Sequence, residues 1–402
     1  SICLFCTASA LISFLLFTTT QRAFSKERKR VIVWSIGFIY KNILKPIIFL
    51  FDSEMVHDAM TDLGEKMGGL NVVKVLNKSL VRVDDSRLSQ KIANIKFENP
   101  IGLAAGFDYE ARFTQILPSL GFGFMTGGTI TNMAYVGNPK PRLGRLPNSK
   151  SLLVNKGFKS SGADVVSSRL SKLKFDAPLG ISIGRTNSAE LKTQKQSIKN
   201  IISAFKKFEK VKVKNSYYEL NISCPNLIHG DISFYPPRNL NQLLVEIDKL
   251  KLKKPIFVKM PIIKTNKETL KMLGIIAKYS PVGVIFGNLQ MDRKHPDLDL
   301  NEVKKFKMGY FSGKPTYKRS NELIKLSYKH FKDRFIIIGC GGVFNGKDAY
   351  EKITLGASLV QLITGLIYKG PQLASQINFE LLDLMEKDGF GKISEAIGTK
   401  NK

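Results

Sequence analysis

Ile336-Ile-Ile-Gly-Cys-Gly-Gly342 decides the fold of this chain. Branched apolar residues in succession make a strand buried on both faces, the habit of a parallel sheet covered by helices. The glycines that close it leave bare backbone amides, and Leu359-Val-Gln-Leu-Ile-Thr-Gly365 repeats the arrangement one unit later. Working outward, similar runs occur at Ile101–Ala105, Phe122–Thr126, Leu179–Ile183, Tyr217–Leu220, Ile256–Met260, Val282–Phe286, Phe335–Ile338 and Leu359–Leu362, with helical patterns between them. Eight strands alternating with helices over about 250 residues predict an α/β fold, the (β/α)8 TIM barrel, with its chemistry in the loops that follow the strands. A doubly wound open sheet is the alternative, but Gly102-Leu-Ala-Ala-Gly106 does not complete a dinucleotide fingerprint. In such barrels a phosphate binds after strands seven and eight, where the quoted glycines stand.

The fourth strand ends in Tyr217-Tyr-Glu-Leu-Asn-Ile-Ser-Cys-Pro-Asn226. Its proline stops the strand and leaves Asn221, Cys224 and Asn226 in one loop at the strand's C-terminal end. Asn-Ile-Ser also fits a glycosylation sequon, and polar residues before proline also make ordinary turns. Amides suit a flat heterocyclic amide, however, and a thiol can exchange a proton near neutral pH. Lys259 ends the fifth run, where a barrel aims it at the mouth as a fixed cation, although a lysine there can also reach out to solvent. A phosphate seat, a cation, amides and a thiol together predict flavin mononucleotide (FMN) beside a small planar substrate.

At 402 residues with 43% apolar content the chain can bury a large core. The net charge of +29 comes from lysines spread along the whole length. It reads as a solvated basic surface, then as affinity for an anionic membrane; no nucleic-acid partner is expected. The four cysteines, Cys3, Cys6, Cys224 and Cys340, show neither a disulfide framework nor zinc spacing, and no metal is expected. Ile2–Phe17 is apolar and is followed by Arg22, Lys26, Arg28, Lys29 and Arg30, so residues 1–30 are expected to be an anchor or targeting segment with a basic flank. Residues 31–70 read as an amphipathic helical extension facing a membrane, with Trp34, Tyr40, Lys41, Lys45 and Pro46 in its first part and a helix capped by Asp52 in its second. His57 on that helix reads as a surface or packing residue. Residues 71–402 make the FMN-binding barrel.

From about Leu44 to Phe390 the chain resembles the dihydroorotate dehydrogenases of class 2, the membrane-associated, quinone-using type. The resemblance rests on Phe51-Asp-Ser-Glu-Met-Val-His57, Asn99-Pro-Ile-Gly-Leu-Ala-Ala-Gly-Phe-Asp108, Gly137-Asn-Pro-Lys-Pro-Arg-Leu143, Ser312-Gly-Lys-Pro315, Gly339-Cys-Gly-Gly342 and Gly356-Ala-Ser-Leu-Val-Gln-Leu362. It implies oxidation of dihydroorotate to orotate, with electrons leaving to a membrane quinone that enters between the helices of residues 31–70. It also implies a cofactor site. Ala104, Ala105 and Gly106 would let backbone approach the flavin, with Gly128, Thr129, Ser182 and Gly287 beside it. Asn221 and Lys259 would contact its ring, and Ser312, Gly313, Gly341, Gly342, Ile363 and Thr364 its ribityl chain and phosphate. Asn155, Asn221, Asn226 and Asn288 would hold the pyrimidine, Phe158 would lie under it, and Tyr109 would stand beside it. The membrane implied is the mitochondrial inner membrane or a bacterial cytoplasmic membrane.

The chain departs from the family at several of these positions. Tyr109 stands where the family has a lysine, and a tyrosine cannot neutralise a carboxylate at pH 7. Ser182 replaces an asparagine, Leu289 replaces a threonine, and the loop Asn155-Lys-Gly-Phe158 is one residue short. Cys224 stands where class 2 has serine. It suits the role of base, because a free thiol titrates near ~8.5 and nearby positive charge is expected to lower it further. Two alternatives stay open: an FMN oxidoreductase of the same fold with another small cyclic substrate, and a membrane-attached binding protein without turnover.

Overall fold

The computed structural model describes residues 25–229 and 233–401. The apolar segment Ile2–Phe17, with Cys3 and Cys6, lies outside the described residues. Eight parallel strands close into a barrel: β1 (Ile101–Leu103), β2 (Phe124–Ile130), β3 (Leu179–Ile183), β4 (Tyr217–Asn221), β5 (Ile256–Met260), β6 (Gly283–Phe286), β7 (Ile336–Cys340) and β8 (Leu359–Leu362). They follow one another around the ring in chain order, and β8 pairs with β1 through Val360 opposite Ile101. All eight sequence-predicted runs are strands. The second begins two residues later than expected, because Gly123 turns tightly over Asn99, and it runs on through Gly127 and Gly128.

The barrel's lower half is filled by pairs of a glycine and a ring. A Cβ on Gly102 would meet the Phe124 ring at 2.4 Å, one on Gly180 the Tyr217 ring at 2.2 Å, and one on Gly283 the Phe257 ring at 2.8 Å. In each pair the glycine and the ring stand side by side on neighbouring strands, so the missing side chain is the space that the ring occupies. Phe97, from the hairpin Gln90–Ile92 and Ile95–Phe97, meets Phe124 edge-on and closes the bottom. Above these rings lies a buried polar layer. Glu219 Oε1 accepts hydrogen bonds from Thr126 Oγ1 (2.7 Å) and Gln361 Nε2 (2.6 Å), and Thr126 Oγ1 pairs with the Tyr217 hydroxyl at 2.9 Å.

Ahead of the barrel stand helices α1 (Lys26–Ile39), α2 (Ser53–Gly68) and α3 (Asn71–Leu80). Helix α1 starts inside the segment read as 1–30, and α3 carries the helical extension ten residues past residue 70. A π-helical turn, Tyr40–Leu44, joins α1 to a last helical turn at Lys45–Ile48. Asp52 caps α2 through the amides of Glu54 and Met55. The run Lys26–Ile48 is long and apolar enough to cross a membrane, yet it is fastened along the barrel. Arg30 pairs with Asp383 on helix α4 (Leu373–Lys387), Trp34 packs on Phe379, and the Tyr40 hydroxyl donates to Ile367 O at 2.8 Å. Exposed apolar side chains concentrate in the extension: Phe38 is 67% exposed and Leu50 84%, and Val31, Ile43, Met55 and Val75 are exposed as well. Scattered single apolar residues are ordinary on a water-facing surface, whereas a concentration of them in one segment suits contact with an apolar phase.

The glycine and ring pairs are testable by stability. Gly180→Ala forces a methyl group into Tyr217, and overpacking of this kind costs about 1–3 kcal/mol. The expected result is a lower midpoint in urea unfolding with an unchanged slope; an unchanged midpoint contradicts this account of the interior.

Candidate active site

The C-terminal ends of the strands open into a cavity of about 1080 Å³. Strand register places its chemistry: Asn221 ends β4 directly beside Lys259 on β5. Lys259 is buried, and its ammonium donates to Ala105 O at 3.4 Å, at the end of β1. Asn221 Nδ2 donates to Thr129 Oγ1 (2.7 Å), which shares a hydrogen bond with Ser182 Oγ (2.9 Å). Its Oδ1 accepts from both the amide and the hydroxyl of Ser223, and Asn288 Nδ2 donates to that hydroxyl in turn. Amide orientation is therefore set across four strand ends, β2, β3, β4 and β6.

At the other side of the mouth Gly341 and Gly342 have φ of +103° and +71°, in the left-handed half of conformational space. A Cβ on Gly342 would meet Tyr317 at 2.6 Å, so only glycine lets the chain turn there and leave its backbone groups bare to the cavity. Ser312 Oγ and Thr364 Oγ1 stand 2.8 Å apart beside this turn. Bare backbone and two hydroxyls on one side, with a buried ammonium on the other, suit a phosphate at one end of a ligand and an electron-accepting ring at the other. FMN fits this donor set.

Most of the sequence-predicted residues meet in this cavity: Ala105, Gly106, Thr129, Gly287, Ser312, Gly313, Ile363 and Thr364 line it with those above, as do Tyr109, Phe158, Asn226 and Asn288. Four stand behind its wall. Ala104 and Ser182 are fully buried, Gly128 hands its carbonyl to the Gly106 amide at 2.7 Å, and Asn155 Oδ1 is taken by Asn138 Nδ2 at 3.0 Å. Asn138, which the sequence reading left unassigned, also donates to Asn226 O and receives from Asn187 and the Tyr135 hydroxyl. A polar residue between Gly137 and Pro139 carries the signature of a turn, which hid it. Glu219 was missed as well, although a carboxylate inside an apolar strand was the signal.

One expectation needs correction. Cys224 lines the cavity half-buried, and burial pushes its thiol up to about 12. Arg185 and Lys259 pull the other way and are outweighed, because removing a thiolate from water costs more than these cations return. Tyr109 stands at the cavity as expected, with its hydroxyl already engaged. It donates to Asp58 Oδ1 on α2 at 2.8 Å, and its ring stacks on His57 with centroids 5.2 Å apart. His57 Nε2 lies 2.8 Å from Phe107 O, which supports the packing role read for it.

The cavity does not stop at the barrel. It continues between the helices of the extension, where Tyr40, Val56, Met60, Leu63 and Met67 line it. Its barrel end is polar, its helical end apolar, and no wall divides them.

Comparison with known proteins bears directly on this arrangement. The family described as dihydroorotate dehydrogenase matches residues 87–385. The dihydroorotate dehydrogenase (quinone) of Trichormus variabilis is 35% identical over 381 residues, covering 90% of this chain and 99% of that protein. The protein of the same name from Christiangramia forsetii is 34% identical, covering 86% and 99%. Among solved structures, that of DHODH in complex with ferulenol from Eimeria tenella superposes with a TM-score of 0.76 at 28% identity, covering 92% of this chain and 99% of that one.

The raised thiol can be tested without turnover. Alkylation of Cys224 by iodoacetamide, followed by mass spectrometry of its peptide, should speed up about tenfold per pH unit from pH 7 to 10, as expected while the thiolate is a minor form. A plateau below pH 9 contradicts the dominance of burial.

Proposed function

The chain belongs to the dihydroorotate dehydrogenase family, on its quinone-dependent side, and on that premise we propose that it oxidises dihydroorotate to orotate for pyrimidine synthesis, using FMN and passing electrons to a membrane quinone. One observation carries the reading: a single cavity joins a polar barrel mouth fit for flavin and substrate to an apolar cleft between helices that bear exposed apolar side chains. A substrate from water and an acceptor from lipid can thus reach one cofactor from opposite ends.

FMN would be held by backbone groups of Gly341 and Gly342, the hydroxyls of Ser312 and Thr364, and the backbone at Ala105 and Gly106, with Asn221 and Lys259 at its ring. The chemistry it supplies when bound is two-electron acceptance from a carbon–hydrogen bond and onward transfer to a quinone. Asn221, Asn226 and Asn288 orient the carbonyl and N–H groups of the pyrimidine ring. Cys224 Sγ, as the thiolate, takes the proton from the carbon next to the ring carbonyl. Because burial favours the protonated thiol, Cys224 must first lose its own proton, and the step quickens as pH rises. The Lys259 ammonium stands where negative charge gathers, in surroundings that water does not screen. Exposed side chains of α1 to α3 seat the enzyme on a membrane surface, in a mitochondrial inner or bacterial cytoplasmic membrane, both of which hold quinone.

Anaerobic mixing with dihydroorotate should bleach the flavin, and denaturation should release FMN. Cys224→Ala should keep the flavin yet bleach slower by the ~10²–10⁴ factor of a lost general base. Flavin that dihydroorotate does not bleach would indicate another substrate, and folded protein free of flavin would point to a binding module.

A further inference from the structure

The loop from Asn155 to Phe158 is curled by two successive left-handed residues, Gly157 and Phe158, each with φ of +65°. It brings the Lys156 side chain inside, where only 8% of the residue is exposed. The ammonium lies 4.5 Å above the centre of the Tyr109 ring, 3.5 Å from the Tyr109 hydroxyl and 3.4 Å from Glu54 Oε1. Its ion pair with Glu54 is shared with two other cations. Glu54 is already engaged by Arg142 Nε at 2.8 and 2.9 Å and has Lys159 at 3.6 Å. Tyr109 carries no charge, since burial and Asp58 hold its hydroxyl proton firmly in place. In this linked group Glu54 and Asp58 face Arg142, Lys156 and Lys159, which leaves one positive charge in excess. Lys156 is the buried cation of this group that borders the cavity, where an anionic ligand can balance the excess.

Lys156 borders the same cavity as Cys224, Asn226, Asn288 and Phe158. We propose that Lys156, resting on the Tyr109 ring, is the residue that binds the carboxylate of the substrate. This rests on the dihydroorotate reading and adds to it the residue that selects an acid over its neutral analogues. Tyr109 acts as the platform: its ring face attracts the ammonium, and its hydroxyl is tied to α2 through Asp58. Arginine at position 156 would keep the charge, whereas methionine keeps only the stem.

The test compares wild type, Lys156→Met and Lys156→Arg. Flavin absorbance titrated with orotate measures affinity, and steady-state rates are measured with dihydroorotate and with its neutral methyl ester. Lys156→Met should weaken orotate binding and raise KM for dihydroorotate by about 10- to 100-fold, the value of one hydrogen bond to a charged group. It should leave kcat near wild type and the ester's KM unchanged, and Lys156→Arg should recover most of the acid's affinity. Because removing Lys156 strips a partner from buried Glu54, the double variant Lys156→Met with Glu54→Gln is measured too and should show the same split between acid and ester. Undiminished orotate affinity in the methionine variants, or equal loss of acid and ester, overturns the inference while a wild type reduced by dihydroorotate leaves the substrate reading intact. Wild type that dihydroorotate does not reduce and orotate does not perturb overturns both.

Discussion

An eight-stranded barrel encloses a space that its own side chains must fill, and the rest of this structure depends on how that is done. Large rings occupy the lower half, each admitted by a glycine on the neighbouring strand. Packing there is dense, so the strands hold their register, and register is what sets Asn221 beside Lys259. The upper half is left to shorter polar side chains and to the cavity. A site at this end is carried by rigid strand termini, which suits amides that must hold a flat ring in one orientation.

Burial also governs the electrostatics of the interior. The Glu219 carboxyl, below the site, is pushed up by its dry surroundings, with Lys259 acting against that push. Cys224 and Cys340 are raised for the same reason. Where water is excluded, a fixed ammonium or an aligned amide acts on developing charge more strongly than it could in solvent. The same exclusion keeps the Cys224 thiol protonated, so one environment strengthens a fixed charge and disfavours a thiolate.

The helical extension is joined to the catalytic end by specific contacts. Glu54 on α2 holds Arg142 and reaches Lys156, Asp58 holds Tyr109, and His57 meets the Phe107 carbonyl. These contacts gather the loop after β1 and the loop at Asn155 against one helix. The wall of the substrate end is therefore also the wall of the apolar cleft, and the two ends of the cavity are built from shared residues. Helix α1, by contrast, is fastened to α4 on the barrel's flank and leaves Val31 and Phe38 exposed.

What the sequence determined by itself was whatever local pattern encodes. Eight apolar runs bounded by glycine or polar residues specified the barrel, because burial on both faces requires such runs. Gly341-Gly342 and the Asn221–Asn226 loop could be read as ligand-binding because they fall at the strand ends where a barrel carries its chemistry. Tertiary structure decided whatever depends on neighbours distant in the chain. Cys224 looked like a thiol lowered by cations, but the balance between desolvation and charge is set by every element around it. Tyr109 could be placed beside the cavity, but that Asp58, 51 residues earlier, holds its hydroxyl was not legible. Lys156 carried no role of its own in the sequence; two left-handed residues and the approach of α2 put its charge inside, and no spacing along the chain records that approach.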